Sequence, residues 1–78
     1  MAKNVIVYST PSCPYCNMAK QYFKENDIDF TDYDVSENRE KAKEMINKSG
    51  QQGVPVIDID GEIIVGFDKS KVKNLLDL

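Results

Sequence analysis

Apolar and polar positions follow more than one rhythm along this chain. Val5, Ile6, Val7 and Tyr8 form an unbroken apolar run, the pattern of a strand buried on both faces. After the turn Ser9-Thr10-Pro11-Ser12, apolar residues recur at Tyr15, Met18, Ala19, Tyr22 and Phe23. That spacing predicts a helix from Pro14 that stops near Asn26–Asp27. Phe30 to Asp34 reads as a second strand. Its apolar positions change phase between Phe30 and Tyr33, which predicts a bulge or an early strand end. Strand, helix and strand over this length form a βαβ unit with parallel strands and a right-handed crossover.

A second helix is expected from about Glu37 to Lys48. Ser36 is its expected cap, Glu37 and Glu40 complement its N-terminal dipole, and Ala42, Met45 and Ile46 form its buried stripe. Ser49-Gly50 ends it, glycine being common just past a helix terminus. Val54–Ile59 and Glu62–Val65 flank Asp60-Gly61, a strong two-residue type I′ hairpin signal. Asp68 then caps a last helix with Val72, Leu75 and Leu76 on its apolar face. The order βαβαββα predicts an α/β fold, a four-stranded mixed sheet flanked by three helices on both faces. No repeat or linker-like stretch interrupts the chain, so residues 1–78 read as one domain. At 78 residues, such a domain is near the size where one core barely suffices.

A net charge of −3 argues against nucleic-acid binding, whose mark is a clustered basic excess. No apolar run approaches the roughly 20 residues needed to cross a bilayer, and MAKNVIV lacks the layout of a signal peptide. A cytoplasmic monomer without membrane attachment is the expectation. The acidic run Asp27–Asp34 reads as solvated surface. Two cysteines and no histidine are too few for a secreted disulfide framework, and the chain alone cannot close an N/S zinc site. Cys13 and Cys16 could be a redox dithiol, half of a metal or iron–sulfur site shared by two chains, or two unrelated buried thiols. Their context favours the dithiol.

That context is a strand-to-helix junction at the carboxyl end of the first strand, where open α/β sheets tend to place their sites. With Pro14 at the first helical position, which suits proline, Cys13 is the N-cap. Its sulfur then faces the unpaired amides of Tyr15 and Cys16 and the positive end of the helix dipole. Those interactions favour thiolate, the attacking species in disulfide exchange. Cys16, three residues on, shares a helix face with Cys13 and is the expected resolving thiol, less exposed and less ionised. Lys20 lies about a turn further on and points away from the helix start. Pro55, before an apolar strand, cannot donate a ladder hydrogen bond. It is either a trans proline opening an edge strand or part of a cis Val54–Pro55 bond.

The chain resembles the glutaredoxins of the thioredoxin-like superfamily along essentially its full length. The resemblance is carried by Cys13-Pro14-Tyr15-Cys16, Gly53-Val54-Pro55, the Asp60-Gly61 hairpin and Val65-Gly66-Phe67-Asp68. It implies the thioredoxin-like fold, a cis Pro55 packed beside Cys13, and reversible thiol–disulfide exchange with no bound cofactor and glutathione as co-substrate. The implied partners are glutathione and disulfide-containing or glutathionylated proteins. The implied contact residues are Thr10, Pro11, Tyr15, Val54, Pro55, Gly66, Phe67, Asp68 and Lys69. Val54 would offer its main chain to an extended thiol peptide, and the helix start at Asp68–Lys69 would take the γ-glutamyl end of glutathione.

Three positions depart from the family pattern. Thr10 stands where a lysine is usual, Gly53 replaces a threonine, and Phe67 replaces the second of two glycines. Gly66-Phe67 is more similar to the glutaredoxin-like electron donors of ribonucleotide reductase, which are reduced by thioredoxin reductase. That gives a second electron source to weigh. Phe67 itself could equally pack inward as core.

Overall fold

The structure, a computed structural model, describes residues 4–77. The elements run β1 (Val5–Ser9), α1 (Pro14–Glu25), β2 (Thr31–Asp34), α2 (Arg39–Ser49), β3 (Val56–Ile59), β4 (Glu62–Val65) and α3 (Lys69–Leu76). The sheet order is β2-β1-β3-β4, with β1 parallel to β2 and antiparallel to β3, and β3 antiparallel to β4. This is the four-stranded mixed sheet with three helices that the sequence predicts.

The two faces are built by alternation along the strands. Val5, Val7, Ile57, Ile59 and Ile64 pack against Ala19 and Phe23 of α1 and Val72 of α3. Tyr8 and Val56 turn the other way, onto Met45 of α2, with Ile6, Tyr33, Ile46 and Ile63 around them. β1 and β3 are central and mostly buried.

This alternation corrects the reading of β2. Pairing continues without a bulge from Ile6–Thr31 to Ser9–Asp34, and the strand does not end early. Phe30 lies just before it and stacks 5.5 Å from Phe23 on the α1 side, whereas Tyr33 lies 5.8 Å from Tyr8 on the α2 side. The phase change marks two aromatic residues serving opposite faces. β3 likewise starts at Val56 rather than Val54, because Val54–Pro55 forms the loop that leads into it.

The start of α2 is also corrected. Ser36 does not cap it: its amide and hydroxyl both bond to Asp34 Oδ1, at 3.0 and 2.5 Å. The Asp34 carbonyl accepts from the amides of Glu37 and Asn38, so these residues form a turn. Asn38 is the cap, its side chain accepting from the Lys41 amide at 3.1 Å, and α2 begins at Arg39. The hairpin is as expected, with φ of 50° at Asp60 and 91° at Gly61, the positive pair that a type I′ turn requires.

Candidate active site

The β1–β3 register brings the two critical loops together. Tyr8 pairs with Val56, so the segment following β1 and the segment preceding β3 emerge side by side. The first turns at Thr10, whose carbonyl accepts from the Cys13 amide at 3.3 Å, with Pro11 exposed at its corner. Cys13 then takes the N-cap of α1 in an extended conformation, with Pro14 at the first helical position. Of the two amides expected to face its sulfur, that of Cys16 makes the hydrogen bond, at 3.2 Å. Across the cleft the Cys13 thiol points to the Val54 carbonyl at 3.8 Å. The Val54–Pro55 bond is cis, and Pro55 is buried.

The Pro55 carbonyl accepts from the Gly66 amide at 2.8 Å, which fixes the 66–69 segment to the same cleft. Gly66 has φ 79°, a conformation that favours glycine. Gln51 braces the loop from the other side, accepting from the Gly53 amide and donating to the Gly53 carbonyl. A Cβ at residue 53 would meet the Gln51 Oε1 at 2.7 Å, so this bracing favours glycine at the position where threonine was the family expectation.

The two thiols are unlike. Cys13 is half-buried and Cys16 is fully buried. Burial, then hydrogen bonding to Cys13, pushes the Cys16 thiol up to about 12, against smaller lowering effects of the Thr10 backbone and the Lys20 charge. The pair therefore holds one accessible sulfur and one that keeps its proton.

The remaining expected contact residues divide. Tyr15 projects from α1, 63% exposed. Asp68 accepts from the Lys71 amide at 3.3 Å and caps α3, which leaves the first amides of that helix, those of Lys69 and Ser70, without an intrahelical acceptor. Phe67 packs as the core reading expects, and its exposed side faces a groove on α1 rather than Cys13. One side of its ring packs against the core, 5.8 Å from Tyr22, and it also walls a groove of about 440 Å³ with Met18, Gln21, Tyr22 and Lys69. Lys69 lies 5.2 Å over the Tyr22 ring. The hydrogen-bonded cleft thus unites Thr10, Cys13, Cys16, Val54, Pro55 and Gly66, while Phe67 and Lys69 contact Tyr22 on the outer side of α1.

Two polar clusters escaped the sequence reading. Under α2, Lys48 Nζ bonds to Asp58 Oδ2 at 2.7 Å and to the Tyr8 hydroxyl at 2.9 Å, and Tyr8 donates to Glu44. Beside α1, the buried Ser9 hydroxyl donates to Asp32 Oδ1 at 2.6 Å, and Lys20 Nζ holds Asp32 Oδ2 at 3.1 Å. The available signal for the first was Asp58 inside an apolar strand, since a buried charge demands a partner. Among the described residues no group of three or more His, Cys, Asp or Glu is arranged to hold a metal ion, and no helix is long and apolar enough to cross a membrane.

The sequence profile of the family described as Glutaredoxin matches residues 5–64. The chain is 48% identical over 71 residues to an uncharacterized glutaredoxin-like 8.6 kDa protein in the rubredoxin operon of Clostridium pasteurianum, covering 91% of this chain and 95% of that protein. It is 38% identical over 65 residues to glutaredoxin 3 of Escherichia coli strain K12, covering 83% and 78%. Among solved structures, the thioredoxin-like protein BC3987 superposes with a TM-score of 0.88 at 29% identity, over 94% of this chain and all of that one. The Archaeoglobus fulgidus glutaredoxin superposes with a TM-score of 0.84 at 23% identity, over 94% and 85%, a likeness of fold.

Proposed function

The chain belongs to the glutaredoxin family of thiol–disulfide oxidoreductases, and from that premise we propose that it reduces glutathione mixed disulfides and protein disulfides through Cys13 and Cys16, with glutathione as co-substrate. The observation that carries this reading is the seat of the Cys13 sulfur. It accepts from the Cys16 amide at the mouth of α1 and faces the Val54 main chain at the cis-Pro loop.

In the first step the Cys13 thiolate attacks a substrate disulfide. A new sulfur–sulfur bond forms at Cys13, the substrate bond breaks, and one half leaves as thiolate. The helix-start amide that stabilised the anion releases it as the charge moves to the leaving sulfur. A glutathionylated Cys13 is then cleared by a second glutathione, giving glutathione disulfide. A Cys13 joined to a protein is cleared by Cys16, which forms the Cys13–Cys16 disulfide and releases the reduced protein. The Val54 backbone supports an extended peptide as an added strand, and the amides of Lys69 and Ser70 suit the γ-glutamyl carboxylate.

The test is steady-state reduction of a glutathionylated protein with glutathione and glutathione reductase. Cys13→Ser abolishes turnover and Cys16→Ser retains it, whereas reduction of a protein disulfide requires both thiols. Loss of the first activity in Cys16→Ser would show the roles to be misassigned. Thr10 in place of a cation, together with Phe67 in place of a glycine, favours a second reading in which thioredoxin reductase supplies the electrons. Substituting that enzyme for glutathione and its reductase in the same assay decides between the two.

A further inference from the structure

Resting on the dithiol reading above, we propose that Lys20, anchored by Asp32 and Ser9, is a positioning charge for the second half of the cycle, readying Cys16 rather than Cys13. Cys16 and Lys20 are four residues apart on α1 and so lie one above the other on a single helix face. Lys20 is held by a carboxylate that is itself fixed in place. Its ammonium binds Asp32 Oδ2 on β2, and the other Asp32 oxygen is fixed by the Ser9 hydroxyl, which is buried at the end of β1. Its side chain is only 21% exposed, so solvent screens the cation incompletely.

The resolving step gives this arrangement its purpose. In the free dithiol, Cys16 keeps its proton for three reasons: burial, a hydrogen bond to the Cys13 sulfur, and the Cys13 charge. Formation of the mixed disulfide removes both influences of Cys13, because that sulfur is then neutral. What remains is burial opposed by the Thr10 amide and the Lys20 cation. Cys13, Lys20 and, through Lys20, Asp32 are the charged or titratable groups acting on Cys16. Lys20 therefore gains weight at the moment the resolving thiolate is needed. Cys16 loses its proton to solvent and its thiolate attacks the Cys13 sulfur. The Cys13–Cys16 bond forms, the bond to the partner breaks, and the partner leaves as thiolate. Cys16 is oxidised and the partner sulfur reduced.

The experiment uses the reduced full chain with one equivalent of dithiobis(nitrobenzoate), which needs neither glutathione nor a reductase. The first release of thionitrobenzoate reports Cys13 attack, and the second reports resolution by Cys16, both followed by stopped flow across pH. Lys20→Met is expected to slow the second release about five- to tenfold at neutral pH and to move its pH midpoint upward. The first release stays within about twofold. Lys20→Arg keeps the wild-type profile, and Asp32→Asn moves the midpoint downward by removing the neutralising carboxylate. An unchanged second-phase profile in Lys20→Met, equal slowing of both phases, or failure of Lys20→Arg to preserve it overturns the proposal. If glutathione chemistry is absent while Lys20→Met still slows and shifts the second release, the glutathione reading fails and this one stands.

Discussion

Lys48→Met removes one ammonium from under α2 while keeping most of the aliphatic stem. Lys48 Nζ serves Asp58 Oδ2 at 2.7 Å, the Tyr8 hydroxyl at 2.9 Å and, more loosely, Glu44 at 3.9 Å. The Asp58 side chain is 10% exposed and that of Lys48 31%. Removing one member of a fully buried pair costs about 3–5 kcal/mol, and exposed pairs contribute about 0–1 kcal/mol. The mixed exposure puts the expected loss near 2 kcal/mol, since Asp58 retains the Gly61 amide at 2.8 Å on its other oxygen. For a domain of this size that loss lowers Tm by about 8–16 °C and the urea midpoint by about 1–2 M. Hydrogen bonding to Asp58, then to Tyr8, raises the Lys48 pKa. The contribution is therefore complete below the unfolded lysine value of about 10.4 and declines as pH rises beyond it. The assay is urea unfolding followed by circular dichroism, with the double variant Lys48→Met/Asp58→Val beside the single one. The double is expected within about 1 kcal/mol of wild type, because neither charge is left stranded. A single-variant loss below about 0.5 kcal/mol, or a double variant worse than the single, would refute a paired and partly desolvated charge here.

Three further outcomes follow from the site. Folding raises the Cys16 pKa to about 12, so the unfolded chain loses that proton first as pH rises above about 8.5. Reduced protein should thus lose stability between about pH 9 and 12, by up to about 1.4 kcal/mol per pH unit relative to Cys16→Ala, as read by urea midpoints in alkaline buffers. Asp68→Ala removes the side-chain acceptor for the Lys71 amide and is expected to cost about 1 kcal/mol in the same unfolding assay. Gly66→Ala meets no atom within 4 Å but must hold φ 79°, so a cost of about 1–2 kcal/mol from backbone strain alone is expected. A larger loss would reveal a steric clash at that turn.

Elements with a strong local signature were legible in the sequence. α1 has proline at its first position and a capping Cys13, α3 has Asp68, and the hairpin has Asp60-Gly61, each a feature whose physics is confined to a few neighbouring residues. The start of α2 is not legible because Ser36 and Asn38 are both competent caps. The choice was made by Asp34, which captures Ser36 in a turn. The phase change between Phe30 and Tyr33 suggests a bulge only because a strand inspected alone does not reveal that both sheet faces are covered. In the candidate site, Cys13 and Cys16 are legible from spacing, and the cis Val54–Pro55 bond is implied only by the family resemblance. The Lys48–Asp58 and Lys20–Asp32 pairs were not legible, since each joins residues brought together by tertiary packing 10 and 12 positions apart.

The placement of the chemistry explains how such a small domain can hold it in register. Cys13 and Val54 belong to loops, but each loop springs from a central strand: β1, all but one of whose residues are buried, and β3, buried throughout. Their relative position is set by four antiparallel pairs from Val5–Ile59 to Tyr8–Val56. A one-residue slip would send either Val5 and Val7 to the α2 face or Asp58 toward the dry α1 face, and the core forbids both. Tyr15, Met18, Phe67 and Lys69 lie instead on the outer edge of α1 and at the approach to α3. Substitution there disturbs less of the buried core. Residue 67 can therefore carry a bulky ring without displacing the Cys13 sulfur from its hydrogen bond to the Cys16 amide.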